Sequence, residues 1–100
     1  MIVKFRNNKL EKEYISFAKA SKAYGQVVAR KYIERVGFIN DAQSIEELQL
    51  FPGLNCHKLS GVRMGQWAIK LTQRYRLIFT LEGEELNIVR IEEVSNHYDD

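Results

Sequence analysis

One hundred residues, 45% of them apolar and with no Pro-, Gly- or Ser-rich run to act as a linker, point to a single domain spanning 1–100 with one core. No apolar run approaches the roughly 20 residues that cross a bilayer, and the alternating start Met1-Ile2-Val3-Lys4-Phe5-Arg6 lacks the order of a secretion signal, so a cytoplasmic protein without a membrane partner is expected. A formal charge of +2 excludes little by itself, whereas the lone Cys56 excludes an internal disulfide and a cysteine-rich metal site, and it reads as a small buried hydrophobe.

In chain order, Ile2-Val3-Lys4-Phe5 reads as a short strand, and Asn8 with Glu11 three residues later predicts a helix start. Leu10, Tyr14, Phe17 and Ala18 then fall on one helical face. The phase is lost around Ser21-Lys22-Ala23-Tyr24-Gly25, and Val28, Tyr32, Val36 and Ile39 carry a second helix to about Asn40, so a helical hairpin is predicted. Ser44 with Glu47 forms a capping box for a brief third helix that begins at Ile45 and is stopped by Pro52-Gly53.

Beyond Gly53 the apolar period changes from near 3.6 to 2, and the apolar residues become aromatic and β-branched. Trp67, Ile69 and Leu71 form one alternating set, Tyr75, Leu77, Phe79 and Leu81 a second, and Leu86 to Val94 a last strand. The short links Thr72-Gln73-Arg74 and Glu82-Gly83-Glu84-Glu85 favour antiparallel hairpins. The expected class is therefore α+β in two layers, with an N-terminal strand and a helical hairpin packed on a small antiparallel sheet of three to four strands.

The charges are unevenly placed. Between Glu47 and Glu82 there is no acidic residue, while Lys58, Arg63, Lys70, Arg74 and Arg76 stand in that stretch, and the last 19 residues are strongly acidic. Such a local basic segment suits an anionic partner whatever the total charge. No Gly-rich phosphate loop, paired-histidine helix or Gly-x-Ser-x-Gly elbow is present. What remains is His57, His97 and the cations between them. That set suits metal-independent RNA cleavage, in which a base removes the 2′-hydroxyl proton, an acid protonates the departing 5′-oxygen and cations hold the phosphorane, so no cofactor is expected.

Each residue also has a plain structural reading. His57 can cap a strand edge, His97 can sit in a frayed tail, Arg76 can pair with the acidic final strand, and Arg63 can be an exposed turn residue between Gly61 and Gly65. Lys70 and Arg74 fit general phosphate contacts or surface charge. Tyr98 and Trp67 have rings that can stack on bases, with core packing the stronger reading for Trp67.

The order His57-Lys58-Leu59-Ser60-Gly61-Val62-Arg63-Met64-Gly65-Gln66-Trp67-Ala68-Ile69, then Tyr75-Arg76-Leu77-Ile78-Phe79, then Val94-Ser95-Asn96-His97-Tyr98, resembles the second half of RelE/ParE-superfamily toxins, most closely the HigB or killer-protein branch. The helical first half fits the family's order as well. The resemblance implies a RelE-like fold and a ribosome-dependent mRNA endoribonuclease of a type II toxin–antitoxin pair. It puts His57, Arg63, Arg76 and His97 at positions used for catalysis or phosphate binding, and Lys58 lies close enough to the loop to assist. It also implies a helix-turn-helix, HigA-like antitoxin, and operator DNA bound through the complex. Ser60 stands where many HigB proteins have a lysine, and Ser95-Asn96 replaces an Asp-Tyr pair. Three readings stay open: the nuclease, a ParE-like toxin that poisons DNA gyrase without cutting RNA, and an inactive module that binds antitoxin or corepresses. Which histidine is acid and which is base is also open.

Overall fold

A computed structural model describes residues 1–96 of the chain. Strand β1 (Ile2–Phe5) leads into helix α1 (Asn8–Ile15), which is opened by Asn7, whose side-chain oxygen accepts from the Leu10 backbone N–H at 2.9 Å. The cap is therefore Asn7 and not Asn8, because the residue with extended backbone is the one whose side chain can fold back on the first turn. Helix α2 (Phe17–Tyr24) follows at once, and α3 (Gln26–Asp41) begins after Gly25, whose φ of 87° suits glycine.

The first arm of the expected hairpin is thus two helices. Ser16 leaves the helical region, ends α1 and caps α2 by accepting from the Lys19 N–H at 3.2 Å. The restart changes the phase, so Phe17 and Ala18 leave the face of Leu10 and Tyr14 and stand exposed. Residues Ser21 to Tyr24, where the pattern falters, remain helical. A buried acid holds the two short helices together: Glu13 on α1 accepts from the Tyr24 hydroxyl and pairs with Lys9 at 2.6 Å. Burial first, and then this bond to Glu13, pushes the Tyr24 phenol well above its ordinary range.

On α3 the predicted stripe is the observed one, with Val28, Tyr32, Val36 and Ile39 all buried. The Tyr32 hydroxyl donates to the Leu10 carbonyl at 2.8 Å, which fastens α3 to α1. Helix α4 (Ile45–Leu50) starts at Ser44, whose hydroxyl accepts from the Glu47 N–H, while the Glu47 carboxylate closes back on the Gln43 N–H. None of the helices among the described residues is long and apolar enough to cross a membrane.

The second half supplies β2 (His57–Lys58), a single 3₁₀ turn (Gly61–Arg63), β3 (Trp67–Lys70), β4 (Arg76–Glu82) and β5 (Ile88–Ser95). The sheet has five strands in the order β1-β5-β4-β3-β2. It is larger than expected and not wholly antiparallel: β1 runs parallel to β5, from Ile2 opposite Ile88 to Phe5 opposite Ile91. The connection between them, four helices followed by β2 to β4, is long enough for the crossover that a parallel partner requires.

Side chains alternate across this sheet, and one face is covered. Trp67, Ile69, Leu77, Phe79, Val89 and Ile91 pack with Tyr32, Val36, Ile39, Ile45 and Leu48 in one core, where each large side chain contributes about 1.5–3 kcal/mol by leaving water. The architecture is α+β in two layers.

Candidate functional site

The other sheet face carries a second buried cluster of three residues, Leu59, Ala68 and Ile78, with no helical member. Cross-strand partners in an antiparallel sheet share a face. One row of partners runs His57, Ala68, Ile78, Glu93 across four strands, and the next runs Lys70, Arg76, Ser95. These side chains therefore stand on the face that the helices do not cover. His57 and Arg76 lie two strands apart across the sheet and two residues apart along it, roughly 12 Å between backbones. Two side chains of the length of His and Arg can both reach an anion placed between them across such a gap.

His57 is held in a defined state. Its Nδ1 lies 2.7 Å from the Asn55 carbonyl oxygen, and a carbonyl only accepts, so the neutral ring carries its proton on Nδ1 and keeps the Nε2 lone pair. Asn55 makes this possible with a left-handed φ of 49°, which bends the chain just before β2.

Arg63 comes from the 3₁₀ turn, between Gly61 and Gly65 with φ of 66° and 93°. Its Nη1 donates to Gln66 Oε1 and to Glu93 Oε1, each at 2.9 Å, which brings the guanidinium over the sheet. Glu93 faces this way because of a bulge: Ile78 pairs with Glu93 but Phe79 with Ile91, leaving Glu92 as the extra residue. Glu92 accepts from the Thr80 hydroxyl at 2.9 Å and lies 3.4 Å from Arg90, while Lys4 pairs with Glu82 at 3.1 Å. That end of the face neutralises its own charges. The end near Lys70, Arg76 and the β3–β4 turn bearing exposed Arg74 is basic.

The structure thus gathers His57, Arg63, Lys70 and Arg76 on one face, with Arg74 at its edge. Lys58 is not part of the set. It pairs with Trp67, on the helix-covered side, and its Nζ sits 5.5 Å from the Trp67 ring centre at a groove shared with Ile45, Glu46, Gln49 and Leu86. Trp67 is buried and stacked with Phe79, as a core residue would be. Cys56 is buried too, and burial pushes its thiol up to about 11. His97 and Tyr98 lie outside the described residues. Among the described residues, no three His, Cys, Asp or Glu side chains group as metal ligands do.

Sequence reasoning missed Gln66 and Glu93, which accept from Arg63 among the described residues. One signal pointed to Glu93: Glu92-Glu93 puts two charges side by side in a strand that otherwise alternates, which is how a bulge reads in sequence.

A family model described as the HigB-like, RelE-like toxin of the type II toxin–antitoxin system HigB matches residues 2–94. No curated relative matches the chain. Among solved structures it is similar to a YoeB/ParE toxin from Agrobacterium tumefaciens, at 11% identity and a TM-score of 0.65 over 98% of this chain and 100% of that one. It is also similar to a chain of the YoeB–YefM complex from Staphylococcus aureus, at 17% identity and a TM-score of 0.62 over 98% of both. YafQ from E. coli is a third, at 14% identity and a TM-score of 0.60 over 94% of this chain and 90% of that one. At these identities the likeness is one of fold.

Proposed function

The chain belongs to the HigB-like family of RelE-like toxins of type II toxin–antitoxin systems, and from that premise we propose that it is a ribosome-dependent, metal-independent endoribonuclease that cuts messenger RNA and so inhibits translation. The observation that carries this reading is the placement of His57, with Nε2 as its basic nitrogen, on the same sheet face as Arg63 and Arg76, the one the helices do not cover.

In this mechanism His57 Nε2 takes the proton of a 2′-hydroxyl, and the oxygen attacks the adjacent phosphorus. Arg63 and Arg76 neutralise the phosphorane, each with a charge that cannot titrate away, and Lys70 adds to the field. The base assignment leaves the acid role to His97, which protonates the departing 5′-oxygen. The products are a 2′,3′-cyclic phosphate and a 5′-hydroxyl. Arg74 meets a flanking phosphate, and Tyr98 stacks on a base. Lys58, on the far side of the sheet, takes no part at the scissile phosphate.

The partner in this reading is a helix-turn-helix, HigA-like antitoxin, and the complex binds operator DNA in the cytoplasm. The antitoxin role is supported by the similarity to a toxin solved together with YefM.

The test is to induce the wild-type chain and the Arg76→Ala variant in growing bacteria and to map the 5′ ends of transcripts. New ends inside translated frames are expected for wild type only, and they vanish when initiation is blocked. In purified form, Arg76→Ala and His57→Ala lower kcat by about 100-fold or more while the fold persists. Growth arrest without new ends overturns the nuclease reading and moves the target to DNA gyrase, as for a ParE-like toxin. Neither arrest nor ends leaves an antitoxin-binding module.

A further inference from the structure

We propose that Glu93 is a positioning residue for Arg63, fixing the Gly61–Gly65 turn to the sheet so that the guanidinium lies over the face that receives the phosphate; this rests on the nuclease reading above.

The turn does little to hold itself in place. It is one 3₁₀ turn between two left-handed glycines, Ser60 makes no side-chain cap bond, and its backbone bonds run between Ser60 and Gln66. Val62 and Met64, on either side of Arg63, are fully or largely exposed, so the turn buries no apolar anchor. The Gln66 contact is local, three residues away, and it shapes the turn without placing it. The Glu93 contact spans 30 residues and reaches a strand in the middle of the sheet.

Two acceptors on one nitrogen fix the plane of a guanidinium, since each takes one of the two Nη1 hydrogens along its own direction. Glu93 is itself well placed to do this. The bulge turns it to the open face opposite Ile78, one row from the pair Arg76 and Ser95. A carboxylate beside a phosphate-binding face repels the phosphate, and a part-exposed ion pair contributes little to stability. Orientation of Arg63 is a role that offsets the repulsion.

The two properties of Glu93 separate by substitution. Glu93→Gln keeps an acceptor oxygen and removes the charge, whereas Glu93→Ala removes both. With programmed ribosomes as substrate, Glu93→Ala is expected to lower kcat by about 10- to 100-fold, the size of effect that follows from misplacing a group by about 1 Å. Glu93→Gln should retain kcat within about threefold and show a lower KM, since the repulsion is gone. A purely structural role for Glu93 gives no such split between KM and kcat and no rescue by the amide.

Nitrogen-15 NMR of the Arg63 side chain in the free protein reads the same contact without any activity. Restricted rotation of the guanidinium is expected in wild type and Glu93→Gln, and its release in Glu93→Ala. Equal restriction in wild type and Glu93→Ala overturns the proposal, and so does release of Arg63 with kcat unchanged. If wild type cuts no RNA while Glu93→Ala still frees Arg63, the nuclease reading fails and the Glu93 to Arg63 tether is supported.

Discussion

Ile78 and Phe79 are neighbours on β4, both fully buried, yet they belong to different parts of the molecule. Phe79 points into the layer shared with α3 and α4, where aromatic and aliphatic side chains from every helix and four strands form one continuous core. Ile78 points the other way, into a patch with Leu59 and Ala68, and its register partner beyond is the charged Glu93. The covered face holds the apolar area that offsets chain entropy, and the open face keeps just enough apolar floor to seat charged side chains. Stability and chemistry are thereby assigned to alternate residues of the same strands, and single substitutions can address one without the other.

The largest effect should come from the covered face. Phe79→Ala removes a ring stacked with Trp67 and leaves a cavity that the helices cannot collapse to fill, at about 3–5 kcal/mol. Urea unfolding followed by circular dichroism should show the midpoint fall with an unchanged slope. Per folded molecule, RNA cleavage should be unaltered, because no group on the open face has moved.

Ile78→Ala sharpens the contrast from the other side. It deletes side-chain volume from a cluster of three rather than from the large core, so the expected loss is nearer 2 kcal/mol, the low end for Ile→Ala. Here cleavage should fall with it, since Ile78 is the floor between His57 and Glu93 in the first row. Equal stability losses for the two variants, or unchanged cleavage in Ile78→Ala, would show that the faces are not energetically distinct.

Much of the covered face was legible in the sequence because its signals are local. The stripe Val28, Tyr32, Val36, Ile39 and the alternation of Leu77 with Phe79 each follow from one element's own period. Pairing was not legible, since nothing within Ile2–Phe5 reports that it will lie parallel to a strand more than 80 residues later. The open face divides in the same way. Arg63 and Arg76 stood out as cations in a stretch without acids, but Glu93 gains its role only from a bulge and a long-range register. Lys58 was read as assisting because it lies in the basic stretch and close to Ser60, and β2 is two residues long, too short for its period to reveal that Lys58 and His57 face opposite ways.

The smallest effect tests the feature of the covered side that periodicity missed. Ser16 ends one helix and caps the next, with its side chain accepting from the Lys19 N–H. Replacing it with alanine removes the cap, which costs about 1 kcal/mol, but alanine also favours helix and so invites α1 and α2 to merge. Merging would swing Tyr24 away from Glu13 and leave a buried carboxylate paired with Lys9 but without its phenol donor, a larger penalty than the helix gain. Ser16→Ala is therefore expected to lose about 1 kcal/mol with unchanged helical ellipticity and unchanged cleavage. A rise in ellipticity with equal or greater stability would mean that packing of Glu13 does not hold the break, and that the two helices are one element in solution.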